Sequence, residues 1–184
     1  MSADSLQPLA DTRRWLERAV IGLNLCPFAK AVLVKGQVHF SLTEAADWTG
    51  ILAALEVQAR ELLEADPARR DTTLLVAPHA PADFIEFNAL VAQAERQLSN
   101  DGLGGVLQLA SFHPRFQFAG TDADDITNFT NRAPWPVLHL LREASVDRAV
   151  QAYPDAAAIY EANMRTLRRL GHEGWARTLA EGPP

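Results

Sequence analysis

Between Ser111 and Glu143 the chain reads SFHPRFQFAGTDADDITNFTNRAPWPVLHLLRE, and it gathers many of the side chains able to do chemistry. His113 follows an apolar run and is the natural acid/base group, because an imidazole titrates near neutrality. Asp125, or its neighbour Asp124, is placed to orient it. Asn128, Thr130, Asn131 and Arg132 precede a helix expected to begin near Pro134 and Trp135. The free N–H groups and dipole of a helix start favour a phosphate or carboxylate, and Arg132 adds a two-pronged contact. The pattern points to an enzyme acting on a small anionic molecule, with His113 and Asp125 catalytic and Asn128, Asn131 and Arg132 binding. His79, in Pro78-His79-Ala80-Pro81, sits where a strand gives way to a helix, a favoured place for ligand contacts. It joins the binding set.

Cys26 is the single cysteine, so no internal disulfide and no paired-cysteine zinc spacing exists. Cys26-Pro27-Phe28 has a thioredoxin-like look, but that chemistry wants a thiol after a strand, at a helix start. Cys26 instead follows a predicted helix. It is a candidate catalytic thiol with a plain alternative, a small buried hydrophobe.

Two further functions compete. His113, an aspartate from Asp122–Asp125, His139 and Glu143 are suitable metal ligands, but their spacing matches no metal motif, and no cofactor is called for. The aromatics Phe112, Phe116, Phe118, Phe129 and Trp135 suit a protein-binding patch in a non-catalytic module. A blander role is that the polar groups satisfy the loop's own backbone, as Asx turns and caps do.

The elements that position these residues follow from periodicity. Residues 1–10 read as a loose arm. Asp11 or Thr12 caps a helix with Trp15, Leu16, Ala19, Val20 and Leu23 on one side, ended by a left-handed Gly22. Ala31 to Leu42 reads as β, divided or bulged at Lys35-Gly36, with His39 on a sheet face. Ser41 and Glu44 suggest a capping box for a helix carrying Trp48, Leu52, Leu55, Ala59 and Leu62. Thr72 to Ala77 is a buried strand. A helix to about Leu98 follows, with Phe84, Phe87, Val91 and Leu98 inward. The glycines of 100–105 make a turn, and Val106 to Phe112 is the next strand.

The connection over 111–135 is long, and a loop of this length in a compact domain is usually functional or disordered. Its aromatics favour order. Beyond it, Val137, Leu138, Leu140, Leu141 and Ala144 predict one helix face, with His139 and Glu143 paired on the other. Tyr153-Pro154-Asp155 opens a last helix, with Ile159, Tyr160, Met164, Leu167 and Leu170 inward and Gly171 at its end. Residues 181–184 form a fraying tail.

The 184 residues suit one domain, residues 1–184. A formal charge of −6 counts against nucleic acid, which demands Lys and Arg against its phosphates. The absence of an apolar leader or spanning run implies a cytoplasmic protein with no membrane partner. Strands interleaved with helices predict an α+β or α/β fold. The small sheet favours a two-layer sandwich of three or four strands with helices packed on it. Oligomeric state is left open.

The motifs GLNLCPFAKAV (22–32), KGQV (35–38), TTLLV (72–76) and SFHPRFQFAGT…DDITNFTNRAPWPVLHLLREASVDRAV (111–150) resemble a bacterial family, domain-of-unknown-function family 1415. The resemblance covers nearly the whole chain. It implies that tyrosines are common where this chain has Phe116, Phe129 and Trp135, and that position 115 varies, which argues against a catalytic Arg115. It implies a single cytoplasmic domain and no activity, substrate or cofactor.

Overall fold

The computed structural model describes residues 6–152 and 156–180. Helix α1 (Gln7–Trp15) continues directly into a π-helical segment, Leu16–Ile21, and is followed by α2 (Ala29–Val34). Then come β1 (Val38–Leu42), α3 (Trp48–Glu64), β2 (Thr72–Val76), α4 (Phe84–Asn100) and β3 (Leu107–Phe112). A connection over 113–136 contains one 3-10 turn, Ile126–Thr130, and leads to β4 (Val137–Arg142), α5 (Glu143–Ala152) and α6 (Ala156–Ala180).

The sheet has four strands in the order β1-β2-β4-β3. β1 and β2 are parallel, while β4 is antiparallel to both its neighbours, β2 and β3. The last strand in the sequence thus slots between two earlier ones. The fold is an α+β sandwich, and helices cover both sheet faces. Alternation along β4 sends Leu138 and Leu140 towards α3 and α4, where they join Leu55, Leu62, Phe87 and Leu90. Val137 faces the other way, into a cluster with Trp15, Val20, Leu74 and Leu167.

Helices α3 and α4 form where the apolar period predicts them, with Leu52, Leu55, Ala59 and Leu62 buried from α3 and Phe87, Val91 and Leu98 from α4. The cap of α3 is Asp47, whose carboxylate accepts from Gly50 N at 2.8 Å. Ser41, expected in a capping box, lies within β1 instead. Asp83 caps α4 in the same way, at 3.0 Å from Glu86 N. Arg142 fastens the end of β4 to the end of α3: its guanidinium donates to the carbonyls of Leu62, Ala65 and Arg70.

Four expectations are corrected. The segment 137–142 is a strand and not a helix, because a strand buried on both sides is apolar on both sides and loses its alternation. The β reading of Ala31 to Leu42 holds only for Val38–Leu42; Ala29–Val34 is helical, and the chain turns at Gly36. The first helix starts at Gln7, so residues 7–10 belong to it; the rest of the predicted arm through Ser5 lies outside the described residues. Gly22 is right-handed (φ −61°), and its lack of a side chain serves another purpose. A Cβ there would stand 2.2 Å from Arg18 O, where the wide π-helical turn closes. Asn24 takes the left-handed conformation instead (φ 54°).

Gly171 breaks α6 as predicted, at φ 66°, though Tyr160, expected inward, is exposed. The expected helix opening at Tyr153-Pro154-Asp155 and the tail at 181–184 lie outside the described residues.

The strand geometry of β4 separates two adjacent leucines that a helix would place together. Leu140 is fully buried, whereas Leu141 is half-buried on the opposite face. Leu140→Ala should cost about 2–5 kcal/mol and Leu141→Ala much less, read from urea denaturation midpoints. Equal losses would favour the helical reading.

Candidate functional site

In the loop over 113–136, Asn128, Asp125 and Arg132 spend their side chains on groups of the loop itself. Asn128 is fully buried. Its Oδ1 accepts from Phe118 N (2.9 Å) and Thr121 Oγ1 (2.8 Å), and its Nδ2 donates to Asp122 O (2.9 Å). Asp125 caps the 3-10 turn, accepting from the N–H and hydroxyl of Thr127, and these two bonds hold its carboxyl below the usual range. Arg132 donates to Phe116 O (2.9 Å) and Ala123 O (2.7 Å) and lies over the Phe129 ring. The Asn131 carbonyl accepts from His113 N. Phe129 in turn packs edge-on against His172 and Trp175 of α6. No helix starts at Pro134–Trp135, where β4 follows instead, so the dipole on which an anion site there depended is missing.

His113 is buried under α4, stacked on Phe87 with centroids 4.8 Å apart. Its Nε2 faces Pro81 O at 3.1 Å, and its Nδ1 accepts from Arg115 N at 3.1 Å. With Nε2 donating and Nδ1 accepting, both nitrogens are used. Burial, first among several influences, pushes the ring's pKa below its ordinary value. His79 is exposed and pairs with Glu44 at 3.3 Å.

The structure therefore keeps Asp125, Asn128, Asn131 and Arg132 in one loop, with His113 at its root. It sets His79 out on the surface and puts Cys26 elsewhere. His139, offered above as a metal ligand with His113, faces the opposite side of the sheet from it. Among the described residues no three His, Cys, Asp or Glu side chains stand close enough to hold a metal ion.

Cys26 belongs to a different place. A cavity of about 320 Å³ opens against the sheet face that carries Thr72, Leu74, Phe112 and His139. The π-helical segment supplies Leu16 and Val20 to its wall, α2 supplies Ala29 and Val32, and α5 supplies Val146, Ala149 and Val150. Nearly all of that wall is apolar. Neither α2 nor α5 buries a residue of its own. The spacing of Val146, Ala149 and Val150 makes one stripe along α5, and that stripe faces the cavity. The turn bearing Cys26 is held by α6, where buried Asn163 donates to Leu25 O at 2.9 Å.

His139 and the buried Thr72 are polar groups that this wall places side by side. Thr72 Oγ1 donates to Leu140 O at 2.7 Å and stands 2.6 Å from His139 Nε2. Burial holds the imidazole pKa at about 4. The charged groups sharing the wall are engaged: Asp71 accepts from Ser145 Oγ at 2.6 Å, and Arg142 holds the carbonyls at the end of α3. Sequence reasoning missed His139 as a cavity residue because it placed 137–144 on a helix, where His139 falls outside. The signal present was a lone histidine in a run apolar on both sides, VLHLL, bounded by Pro136 and Arg142.

Fold and site together define an α+β domain with an apolar, histidine-bearing cavity on one face of its sheet. The chain matches the family described as protein of unknown function (DUF1415) over residues 7–177, and it belongs to that family. No curated protein and no solved structure matches it.

Two outcomes follow. Asn128→Ala removes three hydrogen bonds at about 1 kcal/mol each and should lower unfolding stability by roughly 3 kcal/mol, measured with urea. An unchanged midpoint would free Asn128 for another role. The second concerns pH. His139 is neutral in the folded protein down to about pH 4, whereas the unfolded chain takes up the proton from 6.5. The unfolded state binds more protons in that window, so stability is full above it and falls with pH through it, by on the order of 3 kcal/mol. His113 acts in the same direction. His139→Gln should flatten the decline relative to the parent; parallel profiles would show that His139 is not held neutral.

Proposed function

We propose that this protein binds a small, mainly apolar molecule in the cavity between the sheet, the π-helical segment, α2 and α5. The observation that carries this reading is the cavity itself: about 320 Å³, with a nearly all-apolar wall and a few polar groups at fixed places. Ligand sites have this size and character. Two helices with no fully buried residue, α2 and α5, stand at its edge.

The alternative of an enzyme working on an anion at the 113–132 loop has less support. Asn128, Asp125 and Arg132 of the loop already have partners, and the cation in the cavity wall among the described residues, Arg142, is bonded to carbonyls at the end of α3. The module reading needs no metal and no cofactor. The acidic balance of the chain, −6, speaks against nucleic acid as the partner. Among the described residues no helix is long and apolar enough to cross a membrane.

Ala149 offers a clean test, because α5 has no buried residue to disturb. Ala149→Phe should fill the cavity, leave the melting temperature unchanged or raised, and weaken binding of an apolar probe such as 4-ethyltoluene at least about tenfold, since a probe that no longer fits loses its burial energy. Titration calorimetry and chemical-shift changes measure it. No saturable binding of apolar probes to the parent protein would reject the reading.

A further inference from the structure

Resting on the cavity reading, we infer that the ligand is a neutral molecule with an apolar body and one hydrogen-bond donor, a hydroxyl or N–H, which it gives to Nδ1 of His139. A hydroxyl has one proton to donate, and Thr72 Oγ1 gives it to Leu140 O at 2.7 Å. The carbonyl can only accept, so this assignment has no reverse. The 2.6 Å contact between Thr72 Oγ1 and His139 Nε2 then requires the ring nitrogen to donate. His139 is therefore the Nε2–H tautomer, assigned from its partners. In a neutral ring Nδ1 is left as a bare acceptor.

Nδ1 has no hydrogen-bond partner among the described residues. It is also not sealed away, because the one unpartnered side-chain nitrogen or oxygen closed off from solvent among them is Trp15 Nε1. His139 lines the cavity, so the open acceptor looks onto the cavity space. Its immediate neighbours on the sheet face are apolar: Leu74 is its cross-strand partner on β2, and the Phe112 ring stands 6.1 Å away, while Gln108, the uncharged amide in the lining, is exposed on the edge strand β3. The depressed basicity of the ring keeps it neutral at physiological pH. An anionic ligand would meet a lone pair there and be repelled, and a molecule without a donor would leave the acceptor dry and unpaired. Both are penalised relative to a phenol, an alcohol or an N–H heterocycle.

Three probes separate the possibilities, the first and last matched in shape: 4-ethylphenol (donor), the slightly larger 4-ethylanisole (acceptor only) and 4-ethyltoluene (neither). They are titrated into the full-length protein and into His139→Phe, with histidine-selective ¹⁵N spectra recorded in parallel. The expected result is that 4-ethylphenol binds about tenfold or more tightly than the other two, the scale of one buried hydrogen bond. The preference should vanish in His139→Phe, which still binds 4-ethyltoluene. The Nδ1 resonance should sit at the unprotonated imidazole position and move when the phenol binds. If all three bind the parent protein equally, the cavity reading stands and the donor inference falls. A donor preference that survives in His139→Phe, or an Nδ1–H tautomer, also overturns the inference. If none of the three binds the parent protein, the cavity reading itself fails and takes the inference with it. Should His139→Phe not fold, the tautomer spectrum and the three parent titrations still decide.

Discussion

The fold turns on one pairing: β4 enters between β2 and β3 and bonds to both. That insertion makes β4 a strand with neighbours on two edges and helices over two faces, so every side chain along it must suit one of two interiors. Leu138 and Leu140 close the α3–α4 core. Val137 closes the other. His139 is the exception, an imidazole placed where apolar packing would be expected. It is tolerable because Thr72 on the adjacent strand, whose hydroxyl donates to the Leu140 carbonyl, accepts from one edge of the ring. Burying a polar group without a partner costs free energy. The other edge, Nδ1, has no hydrogen-bond partner among the described residues.

The long connection is more than the same pairing requires. β3 and β4 are antiparallel neighbours, for which a short hairpin would suffice. The chain instead spends residues 113–136, and it orders them from within. Asn128 ties together three points of the loop, and Arg132 ties two more. Aromatic contacts then seat the turn on α6. The loop is a brace that fixes where β4 begins, and so fixes where His139 points.

Much of the fold was legible in the chain. β2, α3 and α4 are visible because each has one clear period and a clear boundary. β4 was not, since VLHLLR is apolar at both parities and fits a helical stripe equally well; only its partners decide. The error propagated to the site, for placing 137–144 on a helix turned His139 outward and supplied Arg132 with a helix start that does not exist. Ala29–Val34 failed for a related reason: AVLV is a β-like composition in a helix of barely more than one turn, set by the turns on either side. The loop drew attention because it is rich in polar side chains, yet a long loop has many backbone groups to satisfy, and Asn128, Asp125 and Arg132 are used on them. The cavity is made from apolar residues on the π-helical segment, α2, α5 and all four strands, separated widely in sequence. No local motif reports that convergence.

The central claim is that an open apolar cavity lies against the His139 face of the sheet. A crystal structure of the protein under xenon pressure addresses it directly, because xenon enters apolar cavities. The account predicts a xenon atom between the sheet and α5, in contact with Leu74 or Phe112, with the surrounding backbone unchanged. Helices α2 and α5 collapsed onto the sheet, with Val146 and Ala149 packed against Phe112 and no xenon between them, would contradict it.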